Sequence, residues 1–535
     1  MNLRPDLAQH LEQRFSAFAQ GFRHNLALVG PPGSGKTYQV QRLLARPWPQ
    51  LSVIYCPVYR ESSRSFIQRF SASILQSALG SSAFHAPVKE TLLQVQASLP
   101  RTAAALESVE SLLSRRVFAE AFSRALDVIP LFTEERQKPC VLILDEFLHL
   151  EELGLGHAFH ELGKRVMTWP STLFVLASSS PYRARLILRE RLQLLFGQFE
   201  MLSFETLDAS QAQRWVCEEL NAFADDDAVV PFLIQWLGAH PWYLSVVLKR
   251  LKESAALRRC GRLTEGLFRE AVWDVLGNPD GPLYQWCASG VERLNHLRNG
   301  AHLLEVLVQA ADGARTLTEI GRRAGKAGLS DILQFLVEQD LLQRRGACWY
   351  IHDPVLRSWL LGVMRLQRSG GFTSEEAAFG VFQSHLAALW RRWQRDSALG
   401  FSEQVVRVFG RFRDDILSLD GKTGKLPPFA NIRAVAAEDG RAPYLVAEGE
   451  GKCWCVAVAE HGVDEQAVAR FDAFCKEQTP RPSRKVVVTP TRLDDNARLL
   501  AKAVNMWVWE AEDWSVLRTL YGEPKEAAAD NAVAR

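Results

Sequence analysis

Gly30-Pro31-Pro32-Gly33-Ser34-Gly35-Lys36-Thr37 fits the spacing G-x-x-x-x-G-K-[ST], in which a glycine-rich loop wraps phosphate groups. Its flanks support the reading. Asn25-Leu26-Ala27-Leu28-Val29 is a short apolar run, the pattern of a strand buried on both faces, and Tyr38 to Leu44 has the pattern of a helix. Strand, glycine turn and helix start aim backbone N–H groups and a positive helix end at one point. Gly30, Pro31, Pro32, Gly33, Ser34, Gly35, Lys36 and Thr37 are therefore the expected nucleotide-binding loop. Lys36 is the side chain for the β- and γ-phosphates of ATP, and the Thr37 hydroxyl for Mg²⁺. A chance glycine turn with a solvated lysine would not need strand and helix both in register.

The partner motif comes a hundred residues later. Cys140-Val141-Leu142-Ile143-Leu144 ends in Asp145-Glu146. An apolar strand that delivers two carboxylates at its C-terminal end is the Walker B pattern, common alone and informative beside a phosphate loop. Asp145 is the expected magnesium residue, and Glu146 the general base that takes a proton from the attacking water. Thr172 to Ala177 is another buried strand and ends in Ser178-Ser179-Ser180. Where such a strand lies between the two motif strands, its terminal hydroxyl can sense the γ-phosphate; Ser178 is the candidate, with Ser179 beside it. An N-cap leading into Pro181 explains the same serines equally well. Arg183, Arg185, Arg189 and Arg191 follow on one predicted helix, either as a solvated basic face or with one of them facing the transition state.

Composition sets the frame. The chain has 535 residues, enough for about three domains. A net charge of +2 gives no global attraction to nucleic acid, so any such partner must use a local patch. No run approaches the length of a membrane span, and the N-terminus lacks the apolar core of a secretory signal. The nine cysteines are dispersed, which points to a cytoplasmic protein. Cys453 and Cys455 alternate in a predicted strand without further ligands nearby.

Along the chain, 5–20 reads as an amphipathic helix, 51–56 as a strand, 61–79 as a helix, 80–110 as loop or insertion, and 111–128 as a helix. After 209 the pattern is all-helical. Pro241 opens a helix whose preceding residue, His240, faces either the nucleotide or its own packing; His240 and Pro241 are carried as candidate nucleotide contacts. Lys249, Arg250, Lys252, Arg258, Arg259 and Arg262 form the best local candidate for a DNA contact, with a solvated face as the alternative. Segment 300–360 reads as three helices and a hairpin about Gly346, a winged helix whose third helix offers Asp331, Gln334, Glu338 and Gln339, which repels phosphate. Residues 366–372 read as a hinge. A helix over 374–395 turns Phe379, Phe382, Leu386 and Leu389 inward. The part over 400–520 alternates helices and strands, and the tail from 523 is polar and expected to be disordered.

GPPGSGKT at 30–37, LILDEF at 142–147, ASSS at 177–180, Leu195-Phe196-Gly197-Gln198, HPWYL at 240–244 and the run 350–360 together resemble the archaeal-type ATPases of the STAND group, within the AAA+-like P-loop superfamily. The resemblance implies an α/β fold: a parallel P-loop NTPase sheet (AAA+-like, ASCE) over 1–205, a helical lid over 206–298, a winged helix over 299–365 and a linker helix over 366–399. It further implies a small restriction-endonuclease-like domain over 400–522, followed by a tail over 523–535. Many members of that group carry such a domain, and nucleases of this kind need an Asp on one strand and a Glu-x-Lys on the next. Here Val446 or Ala447 and Ala457-Val458-Ala459 stand at those places, so nuclease activity is not expected, although Glu403, Glu448, Glu450 and Glu460 lie near. The implied function is an ATP-hydrolysing, Mg²⁺-dependent switch with a protein partner or self-assembly and no membrane. The alternative is a DNA-binding ATPase of DNA processing, defence or mobile elements.

Overall fold

The computed structural model describes residues 3–79, 88–190, 199–225, 228–365, 374–435, 444–460 and 462–522. They form two compact units, one of Met1–Asn221, Leu237–Ser245 and Glu338–Asp340, the other of Ala222–Trp236, Val246–Val337 and Leu341–Arg535. The first unit does not end near 205. It continues through the helix Ala209–Glu219 and takes in the loop before Pro241, whose Ala239 carbonyl accepts the Leu207 N–H at 3.1 Å.

The first unit is built on five parallel strands: β1 (Asn25–Val29), β2 (Ser52–Pro57), β3 (Cys140–Asp145), β4 (Thr172–Ser178) and β5 (Phe199–Ser203), in the order β2-β3-β4-β1-β5. β4 thus separates the phosphate-loop strand β1 from the carboxylate strand β3, and the fold is that of a P-loop NTPase. Alternate residues of each strand feed two apolar layers. Leu26, Leu28, Val141, Ile143, Leu173 and Val175 pack with Leu11, Phe15 and Phe18 of helix α1 (Pro5–Ala19) and with Val40 and Leu43 of α2 (Lys36–Ala45). Ala27, Val29, Leu142, Leu144 and Phe174 pack on the other face with Phe66 and Phe70 of α3 (Ser63–Leu79). Burial on both faces is why these strands are unbroken apolar runs.

Residues 88–110 are not loop. They form α4 (Val88–Gln96) and most of α5 (Pro100–Ser114); the helix expected over 111–128 is instead α6 (Phe118–Arg136), which runs through Pro130. Two features hid α5. Its core stripe includes Ala103 and Ala105, whose small side chains blur the apolar period. Its first turn is held from a distance, where Glu135 accepts the Arg101 N–H at 2.7 Å and the Thr102 N–H at 2.9 Å. Helix α7 (Ala158–Thr168) precedes β4 and α8 (Pro181–Glu190) follows it.

In the second unit, two short strands, β6 (Ala224–Asp225) and β7 (Arg262–Leu263), interrupt the helical region. Three helices, Gly300–Ala311, Leu317–Ala324 and Leu329–Glu338, lead to the antiparallel hairpin β8 (Gln343–Arg345) and β9 (Cys348–Tyr350). Thr316 and Glu319 close a capping box on the second helix. The hairpin packs on β10 (Asp415–Leu419), where the Ala347 N–H donates to the Ile416 carbonyl at 2.8 Å. Beneath it, Arg315 Nε donates to Asp415 Oδ2 at 3.0 Å, and that oxygen also accepts the Tyr521 hydroxyl at 2.7 Å. β10 and β11 (Lys422–Leu426) form a hairpin at Asp420-Gly421.

A second five-stranded sheet follows, in the order β12 (Asn431–Val435), β13 (Tyr444–Gly449), β14 (Lys452–Val458), β15 (Arg484–Val488), β16 (Trp507–Trp509), antiparallel to β14 and parallel beyond it. In the helix Glu375–Ser397 the fully inward stripe is Ala378, Phe382, Leu386 and Trp390. Phe379, expected inside, is 36% exposed at the edge of the stripe, and Leu389 is half-buried. The expected hinge over 366–372 lies outside the described residues, as do the tail from 523, Arg191, and the stretch Leu195 to Gln198.

Candidate nucleotide site

The phosphate loop joins the end of β1 to the start of α2. Gly35 is the N-cap of α2 at φ 97°, with no side chain capping the helix, so its first N–H groups are left for an anion. Gly33 is required twice over. Its φ is 71°, and a Cβ there would lie 2.6 Å from Trp242 Cβ. Lys36 is buried and folds back on the loop, its ammonium donating to the Gly30 carbonyl at 2.8 Å and the Pro31 carbonyl at 3.0 Å. Burial lowers its pKa to about 8, against the opposing pull of Glu146 and Asp145.

β3 brings its carboxylates to the same end of the sheet. The Thr37 hydroxyl donates to Asp145 Oδ2 at 2.9 Å, and the Glu146 N–H donates to Oδ1 at 3.1 Å. Glu146 has a left-handed backbone, φ 56°, and its carboxylate accepts both the N–H (3.0 Å) and the hydroxyl of Ser179. Ser178, the hydroxyl expected near the γ-phosphate, is fully buried, and its Oγ accepts the Ser180 N–H at 3.1 Å. The geometry therefore brings Ser179, not Ser178, to Glu146. Arg183 on α8 is engaged by Glu151 at 2.7 Å.

His240 lies against the loop, its ring stacked on Tyr243 at 4.1 Å, and neither ring nitrogen makes a protein hydrogen bond of proper geometry. Burial pushes its pKa down to about 4, with the Pro32 carbonyl acting in the other direction and the charges of Arg4 and Lys36 adding to the depression. It is a neutral imidazole at physiological pH. Pro241 starts the helix Pro241–Arg258.

Two neighbours were not found from the sequence. Arg4, half-buried ahead of α1, donates from Nε to the Ser34 carbonyl at 3.2 Å and also reaches the Glu205 carbonyl. Tyr55 on β2 donates to Asp145 Oδ2 at 3.1 Å. Neither belongs to a local motif; Arg4 is 30 residues from its loop partner and Tyr55 is 90 from Asp145.

These residues fit nucleotide and magnesium. The single proton of Thr37 is committed to Asp145, which leaves its oxygen lone pairs on the exposed side for a cation. The loop supplies a left-handed glycine turn, an uncapped helix start and a buried ammonium.

Residues 4–176 match the family model described as an AAA ATPase domain. This part of the chain is an ATPase-type nucleotide-binding domain. No curated protein matches the chain. Among solved structures, a Walker-type ATPase of Pyrococcus abyssi aligns at 16% identity and a TM-score of 0.47, over 67% of this chain and 95% of its own. The ORC2 protein of Aeropyrum pernix, in its ADPNP-ADP complexes, aligns at 15% and 0.40 over 69% and 95%. The RuvB Holliday junction branch migration motor of Thermotoga maritima aligns at 12% and 0.31 over 68% and 93%.

The pKa of Lys36 sets a pH dependence. As pH rises through about 8 the free protein loses the Lys36 ammonium; with Lys36 read as the phosphate contact, ATP affinity is expected to fall, approaching tenfold per pH unit above that point. His240, already neutral, adds nothing on the alkaline side. A nucleotide-binding titration between about pH 6.5 and 9.5 reads this out, and a flat profile would contradict a phosphate role for Lys36.

The basic cluster is largely compensated. Arg250 pairs with Asp274 at 2.6 Å and with Glu253, Arg258 with Glu270 at 2.5 Å, and Lys249 reaches Glu253 at 4.0 Å. Arg259 stands in a left-handed turn at φ 52° after the helix. Around β13 and β14, Glu448 faces Cys453 near the turn, whereas Tyr444 faces Ala457 at the other end. Glu460 accepts the Phe401 N–H at 3.3 Å and Glu403 the Gly400 N–H at 3.2 Å, so both serve the start of the helix Phe401–Phe409. Glu448 and Glu460 thus lie at opposite ends of β14. Among the described residues, no group of three or more His, Cys, Asp or Glu is arranged to hold a metal, and no helix is long and apolar enough to cross a membrane.

Proposed function

We propose that this protein is an ATP-hydrolysing, Mg²⁺-dependent molecular switch of the STAND type, acting in the cytoplasm and coupling its nucleotide state to a protein partner or to self-assembly. The observation that carries the reading is the convergence of Lys36, Thr37, Asp145 and Glu146 at one end of the parallel sheet. Lys36 exchanges its loop carbonyls for β- and γ-phosphate oxygens. Thr37 and Asp145 are the residues that would hold Mg²⁺. When bound, the ion neutralises charge on the phosphates. Glu146 takes the proton of the attacking water, and the two bonds from Ser179 set where its carboxylate points. His240 and Trp242, which belong to the first unit, lie against the loop and sense whether phosphate fills it.

The three helices with their hairpin serve as a winged helix, and the C-terminal sheet as a nuclease-like domain without nuclease activity. A protein-directed role is favoured over DNA because the basic cluster is paired with acids and the hairpin is packed on β10. ATPase rates with and without double-stranded DNA at moderate salt test this. A slow, DNA-indifferent, Mg²⁺-dependent rate supports the switch. Strong stimulation by DNA would establish the alternative.

A further inference from the structure

Asp145 has a third hydrogen-bond donor that a P-loop site does not require. The residue is 4% exposed, and its carboxylate accepts the Glu146 N–H on Oδ1, with Thr37 Oγ1 and Tyr55 Oη both donating to Oδ2. Tyr55 projects from β2, whose register sets Tyr55 opposite Ile143 and Pro57 opposite Asp145. Tyr55 therefore ties the neighbouring strand to the carboxylate that also receives the Thr37 hydroxyl of α2.

The chemistry of Oδ2 gives this link a purpose. A carboxylate able to rotate can turn toward a cation and displace a water, or turn away and release the Thr37 proton. Fixed from two sides, Oδ2 keeps accepting from Thr37, so the threonine oxygen keeps its lone pairs directed outward. Residues behind a metal's ligands commonly control affinity in this way. We propose that Tyr55 is a positioning residue of the magnesium site, holding Asp145 so that Thr37 is presented as a ligand. This rests on the reading of Thr37 and Asp145 as the magnesium residues.

The test is Tyr55→Phe, which keeps the ring and removes one hydroxyl. Binding of a fluorescent ATP analogue is followed against Mg²⁺ concentration and again in EDTA, with thermal unfolding alongside. The half-saturating Mg²⁺ concentration is expected to rise about tenfold or more, while binding in EDTA stays as in the unaltered protein. Turnover should return toward normal at high Mg²⁺, so the defect lies in the apparent constant for the ion rather than in kcat. An unchanged Mg²⁺ dependence would overturn the proposal, whether or not the variant melts lower. Thr37→Ala separates the two readings. If it too leaves the Mg²⁺ dependence unchanged, the magnesium assignment itself has failed; if it alone shifts that dependence, the assignment stands and Tyr55 has no part in it.

Discussion

Lys36→Ala is expected to abolish turnover, lowering kcat/KM for ATP by about a hundredfold or more, the scale of losing one preorganised charge at a phosphoryl group. The side chain is 3% exposed, and its ammonium lies within hydrogen-bond reach of two loop carbonyls. Part of the cost of burying it is already visible in a pKa brought down to about 8. A phosphate would repay that cost, which is why the charge counts more with nucleotide bound than without. The substitution also leaves the Gly30 and Pro31 carbonyls without their donor, so loop disorder must be separated from lost charge. Thermal unfolding with no nucleotide serves: the variant should melt close to the unaltered protein and lose the stabilisation that ATP confers. Undiminished turnover would sink the phosphate-loop assignment.

The sequence made this loop legible because everything that defines it is local: eight residues, a strand before and a helix after. The position of β4 between β1 and β3 was not legible in the same way, since apolar runs carry no strand order; the sequence offered only a hydroxyl-ended strand that such a position would suit. What escaped depends on distance or on direction. Arg4 and Tyr55 join the site through contacts across 30 and 90 residues, and nothing in their neighbourhoods marks them. Choosing Ser179 over Ser178 was beyond the sequence because successive residues at a strand end point to opposite sides. Helix α5 was missed because Glu135, far down the chain, supplies its N-terminal acceptor.

The hairpin of β10 and β11 is a different case, since its signal was present. Asp420-Gly421 is a strong two-residue turn, and both take the positive φ that such a turn demands, 50° and 65°. The basic run from Lys249 to Arg262 shows the opposite hazard. A count of cations says nothing of the acids that neighbouring helices set against them, here Asp274 and Glu270.

Glu146→Gln is the second large expected effect: ATP should stay bound while hydrolysis falls by about 10²–10⁴, the range for losing a general base. The structure makes this substitution a clean one. Glu146 is held by the N–H and the hydroxyl of Ser179, and glutamine can keep both partners, its carbonyl accepting from the N–H and its amide facing the hydroxyl oxygen. Shape and position are retained, and only the ability to take a proton is lost. Because Asp145 and Thr37 are untouched, Mg²⁺ dependence of nucleotide binding should be unaltered, which distinguishes this variant from one that damages the ion site. The measurement is a single-turnover assay with the bound nucleotide identified afterwards: ATP should be recovered from the variant, and ADP from the unaltered protein. Fast hydrolysis by Glu146→Gln would move the base elsewhere and leave the Ser179 bonds as a structural clasp alone. A variant that no longer binds ATP would mean that the carboxylate charge, set close to Lys36, holds the loop in its binding shape.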